Sequence, residues 1–459
     1  MNKLFTTLAA GALLLGAPAL LGGCDSVLDI DPNASIDASR AFDTPRGAQV
    51  AVQGNYDILQ SANYYGLDGV AIVPDLFADD LITTGTFANL RNISNRNIVA
   101  DNASFLGIWR TLYAGIGRAN NVIAFAPGVP GISQAEVRQY TGEAYFLRAL
   151  HYFNLANYFG GVPIVTTPTR TVGEVENRPR ASADEVYALV EQDLRRIIDG
   201  NLLAGFDAGP GRASEGAAKA LLARLYLYRG RYADAGALAD DVIRNYGYTL
   251  IGNFNALYEA QNTTEAIFEV QFNQNDSNSH AFFFFPASNA ANPAESGGRR
   301  MYAPRPSLVN AYSEPGDVRF ARTIGNAAVS GNPVYYGRKY FRITSSDDNF
   351  IVLRLADMLL IRAEAAARAG QLVPALADLN RIRERAGLPA LVALSQEALI
   401  DAILLERRRE LAFEGHRFWD LKRTGRAQAT LGIDATRLLF PIPQTELDVN
   451  PALTQNPGY

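Results

Sequence analysis

Two distant stretches of the chain share one pattern, and that pattern restricts them to paired helices. In Gly230-Arg231-Tyr232-Ala233-Asp234-Ala235 the glycine closes one helix, and Tyr232 and Ala235 open the next. Ala223 and Tyr226 precede the turn, and Ala239 and Val242 follow it. Gly370-Gln371-Leu372-Val373-Pro374-Ala375 repeats the layout, with Ala363, Ala366, Leu379 and Ile382 at matching offsets. Glycine is the residue that leaves a helix in the left-handed conformation without a Cβ clash. Small residues on both sides of the turn let two helices lie close together, and a recurrence at fixed offsets marks a hairpin repeat.

The same spacing rules predict helices over Thr44–Ala62, Ala103–Ala126, Ser133–Tyr158 and Ser182–Ile198, and helix pairs over Ser214–Asn245, Leu353–Ala386 and Ser395–Thr424. Ser133 with Glu136, and Ser182 with Glu185, have the spacing of a capping box. Residues 246–350 read differently. They are rich in Gly, Asn, Ser, Pro and aromatics and hold only short strand-like runs such as Ala266–Phe272. The expected fold is therefore mostly α: a tetratricopeptide-like helical-hairpin scaffold, mainly 133–245 and 351–459, with a loop-rich insert containing short strands. Because the hairpins are far apart in sequence, a regular solenoid is not expected.

The N-terminal residues constrain location. Lys3 is followed by an apolar run from Leu4 to Leu21, then Gly22-Gly23-Cys24. Cys24 is the only cysteine of 459 residues, so the chain forms no internal disulfide. A short basic start, an apolar stretch and small residues before a cysteine describe a lipoprotein signal over 1–23, with Cys24 as the lipid attachment site. Residues 24–40 read as a polar tether, leaving 41–459 as one domain. The net charge of −5 and the lack of a basic cluster exclude nucleic acid as a partner. With 21 Tyr and 23 Phe, many rings are expected near the surface or along a groove.

Several blocks together resemble the SusD/RagB family. They are Glu143 to Leu155 (EAYFLRALHYFNL) followed by Tyr158 to Ile164 (YFGGVPI), Arg354 to Ala365 (RLADMLLIRAEA), and Leu379 to Arg383 with Ala386 to Pro389. Leu405 to Arg423 (LERRRELAFEGHRFWDLKR) is the most distinctive, and the tail runs from Phe440 to Glu446 and from Gln455 to Tyr459. The resemblance implies a nutrient-binding lipoprotein of the outer membrane, facing the cell surface. It implies capture of a glycan, an oligosaccharide or a peptide, and delivery to a TonB-dependent transporter barrel (SusC-like) that packs against the helical face. No enzyme activity, cofactor or metal is implied. The alternatives are a tetratricopeptide-type envelope adaptor without a small ligand, and an anchored glycan hydrolase.

Residues with chemistry weigh against the hydrolase. The carboxylate doublets Asp79-Asp80 and Asp347-Asp348 are adjacent in sequence, so their side chains diverge and are expected in solvated loops or caps. His151, His280 and His416 are too scattered to share a metal. The arginine run from Glu406 to Glu410 has acidic residues at helical spacing (Asp401, Glu410 and Glu414) and reads as structural ion pairs. Sugar binding calls for aromatic faces beside amides, carboxylates and arginines. The low-periodicity stretches place Tyr64, Tyr65, Asp68, Phe87, Asn89, Arg91, Arg299, Arg300 and Tyr302 as ligand-binding candidates, with Asn273 to Phe285 as a further stretch.

Overall fold

The computed structural model describes residues 40–169, 178–205, 208–329 and 332–459. The signal segment 1–23, Cys24 and all of the tether except Arg40 lie outside the described residues.

Ten helices carry the scaffold. They are α1 (Pro45–Asp57), α2 (Ala103–Phe125), α3 (Gln134–Phe159), α4 (Ala183–Asp199) and α5 (Glu215–Tyr228). After α6 (Tyr232–Asn245) and the insert come α7 (Leu355–Arg368), α8 (Leu372–Arg385), α9 (Gln396–Glu410) and α10 (Arg417–Arg423). From α1 to α6 each helix packs on its predecessor, and α7 packs on α6, α8 and α9, so the stack continues across the insert.

Local chemistry explains the helix ends. Both capping boxes form: the Ser133 and Ser182 hydroxyls accept from the N–H of Glu136 and Glu185, whose carboxylates accept the serine N–H in return. Each box satisfies two backbone N–H groups that the helix itself leaves without partners. Gly230 and Gly370 turn the two hairpins at φ of 71° and 75°. The small residues lie where the pattern puts them, with Ala223, Ala235, Ala239, Ala363 and Ala375 fully buried. The hairpins also touch each other closely. A Cβ on Gly236 of α6 would come within 2.9 Å of the Ala365 Cβ on α7.

The strands form three antiparallel pairs among the described residues. In chain order they are β1 (Leu81–Thr83), β2 (Ala266–Val270), β3 (Tyr302–Pro304), β4 (Ile324–Val329), β5 (Asn332–Gly337) and β6 (Phe350–Arg354). β2 enters the insert and β6 leaves it, and the two pair from Ala266↔Arg354 to Val270↔Phe350. They form a neck beneath the insert. β1 pairs with β3, setting Leu81 opposite Pro304 and Thr83 opposite Tyr302. β4 and β5 form a hairpin.

The expectation of many rings near the surface or along a groove is met in part, by half-buried rings more than by fully exposed ones. Of the large apolar side chains that stand exposed, only Phe87 and Tyr335 are aromatic among the described residues. The other described rings are buried in the core or half-buried at its edge, as Tyr246, Tyr248 and Phe282 are. Phe440, in the C-terminal segment, lies 4.7 Å from Phe105, 5.1 Å from Phe77 and 5.2 Å from Tyr158, measured between ring centroids. Some buried tyrosines find acceptors, Tyr312 at the Arg409 carbonyl and Tyr340 at the Phe413 carbonyl, whereas the Tyr158 and Tyr302 hydroxyls have no partner among the described residues.

Candidate ligand-binding site

The site depends on how the insert is held. Arg354, at the end of β6, is 1% exposed and bridges three carboxylates. It donates to Glu265 just before β2 (3.1 Å), to Glu410 at the end of α9 (2.6 Å) and to Glu414 in the following turn (2.9 Å). Arg385 of α8 joins Glu265 at 2.9 Å and also bonds Glu410. Lys339, just after β5, reaches Glu414 at 2.7 Å. Burial alone would raise the Glu414 carboxyl, but Arg354 and Lys339 override it and hold the group down at about 2. The network thus joins both ends of the insert to α8 and α9 through charge that is almost wholly enclosed.

The arginine run is structural, as its spacing implies, but its partners come from farther away. Arg407 bonds Asp357 (2.7 Å) and Asp420 (3.0 Å), and Arg409 bonds Glu314 (2.9 Å). Arg408 bonds Asp80 (2.7 Å), while Arg417 bonds Asp79 (2.7 Å). The Asp79-Asp80 doublet is therefore not a solvated loop, and Asp80 is buried. It follows the short helix Val73–Phe77, which packs against α10, and there the arginines compensate its burial. Asp348 is also buried and caps a turn, accepting the N–H of Phe341 and Arg342.

Above the neck, the two candidate stretches converge. β1–β3 pairing sets Leu81–Thr83 beside Tyr302–Pro304, so that residues 84–91 leave β1 where residues 299–301 enter β3. Past the strands, the Thr84 N–H donates to the Met301 carbonyl at 2.9 Å, and its hydroxyl donates to the Arg300 carbonyl. Arg300 takes a positive φ of 43° and donates from Nε to the Tyr335 carbonyl at 2.8 Å, adding the β4–β5 hairpin. The Arg299 guanidinium lies over the Phe282 ring at 5.6 Å. Gly298 makes this turn possible, because a Cβ there would lie 2.3 Å from the Phe285 carbonyl oxygen. Four exposed side chains on these segments, Phe87 (49%), Tyr335 (42%), Arg91 and Arg299, define the rim.

The other candidates sit deeper. Asn89 donates to Ser104 Oγ at 2.7 Å, and its carbonyl accepts from Asn102, so it fastens the short helix Ala88–Ser94 to the start of α2. Tyr64, Tyr65 and Tyr302 are in the core and present no ring face to solvent. Tyr64 shares a 2.9 Å hydrogen bond with His151 Nδ1 and stacks on Tyr65 at 4.5 Å, and Tyr65 meets Phe350 at 5.0 Å. Tyr302 packs on Phe283 and Phe284, two of the four consecutive phenylalanines, of which Phe284 and Phe285 are buried. Asp68 is half-buried, and burial pushes its carboxyl up to about 6. Its charge in turn raises the Tyr302 phenol, already raised by burial. Tyr335 was absent from the sequence candidates. Its alternation in Asn332–Gly337 is the one local signal, since Tyr335 and Tyr336 must face opposite sides of a strand.

Comparison with known proteins places this architecture. Residues 329–436 match the model of the SusD family, and residues 73–227 match a model described as starch-binding associating with outer membrane. A solved structure of a laminarin binding SusD-like protein is 30% identical, covers 91% of this chain and 100% of its own, and superposes with a TM-score of 0.81. Surface glycan-binding protein A from Bacteroides fluxus is 27% identical, with a TM-score of 0.77, covering 91% of this chain and 100% of its own. A SusD-like protein of Formosa agariphila is 27% identical over the full length of both chains. The helical-hairpin scaffold, its ordered sequence blocks and these matches assign the chain to the SusD family.

Proposed function

We propose that this chain is a non-catalytic glycan-binding lipoprotein, anchored at the outer membrane through Cys24, that delivers its ligand to a TonB-dependent transporter. Residues 41–459 act as one domain, with the helical face toward the transporter and the rim toward the glycan. The observation that carries this reading is the rim itself. Exposed Phe87 and Tyr335 supply apolar faces for the C–H side of a sugar ring, and Arg91 and Arg299 supply donors for its hydroxyls. Relatives named for laminarin, starch and surface glycans support a saccharide as the ligand. The carboxylate doublets are held in ion pairs or turn caps, and this favours binding over hydrolysis.

Calorimetry with laminarihexaose, maltohexaose and cellohexaose tests the proposal on wild type and on Phe87→Ala with Tyr335→Ala. Saccharide binding that the double variant weakens supports it. Binding untouched by the double variant removes the rim. Release of reducing ends on prolonged incubation would favour a hydrolase, and a Cys24→Ala chain that still fractionates with membranes would defeat the anchor.

A further inference from the structure

We propose a second saccharide-binding cleft, sharing no residue with the rim, between the start of α5, the end of α6 and the turn before β2. It rests on the glycan reading for the source of its ligand and on its own geometry for its existence. The cleft has a volume of about 480 Å³, which falls in the roughly 300–1,000 Å³ range of small-molecule sites. Tyr246 and Tyr248 line it with rings 6.5 Å apart and 18° from parallel. Both rings rest on Gly216, where a Cβ would lie 2.7 Å from the Tyr248 hydroxyl and 2.9 Å from Tyr246 Cδ1. Tyr246 is held further by its hydroxyl, which donates to Glu215 at 2.7 Å, and by Lys219 over its ring at 5.0 Å. The aromatic wall is therefore fixed before any ligand arrives.

Amides flank that wall. Asn245 and Asn262 are exposed, and both line the cleft with Ser214, Thr263 and Thr264. Asn262 adopts φ 56°, and Glu269 Oε1 accepts its N–H at 2.7 Å, which fixes the turn that carries the side chain. Charge in the cleft is compensated, since Lys219 bonds Glu215 at 3.0 Å and Asp241 at 2.7 Å. A fixed tyrosine wall, neighbouring amides and hydroxyls, and, among the described residues, no uncompensated cation select a neutral, hydroxyl-bearing ring over an anion. That is the chemistry of a sugar unit.

The test is calorimetry with laminarihexaose, maltohexaose and cellohexaose, followed by crystal soaks with the same sugars. It uses the rim variant Phe87→Ala with Tyr335→Ala and the cleft variant Asn262→Gly with Tyr248→Ala. Asn262→Gly alone is the control for folding, because glycine adopts the positive φ without strain. Two sugars per chain are expected, with the cleft variant weakening one of them at least tenfold and leaving the other unchanged. A single site abolished by the rim variant overturns the cleft and leaves the proposed function standing. A single site abolished by the cleft variant upholds the cleft and removes the rim. Failure of all three sugars to bind overturns both.

Discussion

Arginine plays opposite parts in two regions of this molecule. At the joint between insert and scaffold, Arg354 and Arg385 are nearly inaccessible and are surrounded by Glu265, Glu410 and Glu414. At the rim, Arg91 and Arg299 are exposed, and the ring beneath Arg299 is the half-buried Phe282. An enclosed charge stripped of its partner is costly, so the joint is committed to cohesion. An exposed charge keeps its hydration and a choice of partners, so the rim can exchange water for ligand. The lesson is that residue type says little about role until enclosure is known.

The sharpest way to break this contrast is Glu410→Ala, which leaves Arg354 and Arg385 short of a carboxylate. A loss of about 3–5 kcal/mol is expected in urea unfolding, and a change below about 1 kcal/mol would mean the enclosed network is not cohesive. Next, Tyr64→Phe removes the hydroxyl bonded to His151 in the core. It should cost about 1–3 kcal/mol by thermal unfolding while leaving saccharide affinity unchanged; an affinity loss without destabilisation would return Tyr64 to the binding face. Phe87→Ala should do the reverse. Its stability should stay within about 0.5 kcal/mol of wild type, while affinity measured by calorimetry falls roughly 5- to 30-fold.

The smallest effect concerns Asp68, whose charge acts on the Tyr302 phenol in the core. Burial raises its folded carboxyl to about 6, above the ordinary value near 3.9. A raised carboxyl favours the folded state when protonated, so its contribution is complete below about pH 4 and is lost as the pH rises through 6. Asp68→Asn should therefore flatten the fall in thermal midpoint between about pH 4 and pH 6.5. Parallel curves for the two proteins would show that this carboxyl does not titrate in that window.

The scaffold was legible in the sequence because its signals are local. Ser133 and Glu136 are three residues apart and cap as their spacing predicts. Gly230 and Gly370 likewise turn hairpins by their own backbone preference. The rim was legible only in part. Phe87 and Arg299 stand at the surface, but Tyr64 is buried and bonds His151, 87 positions away in the chain. Low periodicity identified loops without saying which loops lie beneath others. Tyr335 reaches the rim through the β4–β5 hairpin and a bond from Arg300, a pairing that no local pattern announces.

The neck formed by β2 and β6 has a consequence for how such proteins diversify. Because entry and exit strands clasp each other from Ala266↔Arg354 to Val270↔Phe350, the helical stack meets the same two backbone ends whatever is threaded between them. Residues 271–349 also carry Glu314, Arg319 and Lys339, which pair with Arg409, Glu410 and Glu414 of the scaffold. Loop closure grows only slowly in cost with length, so the stretches between those three charges can lengthen or shorten above the same clasp, while exchanging the charges themselves would strand enclosed partners in the scaffold.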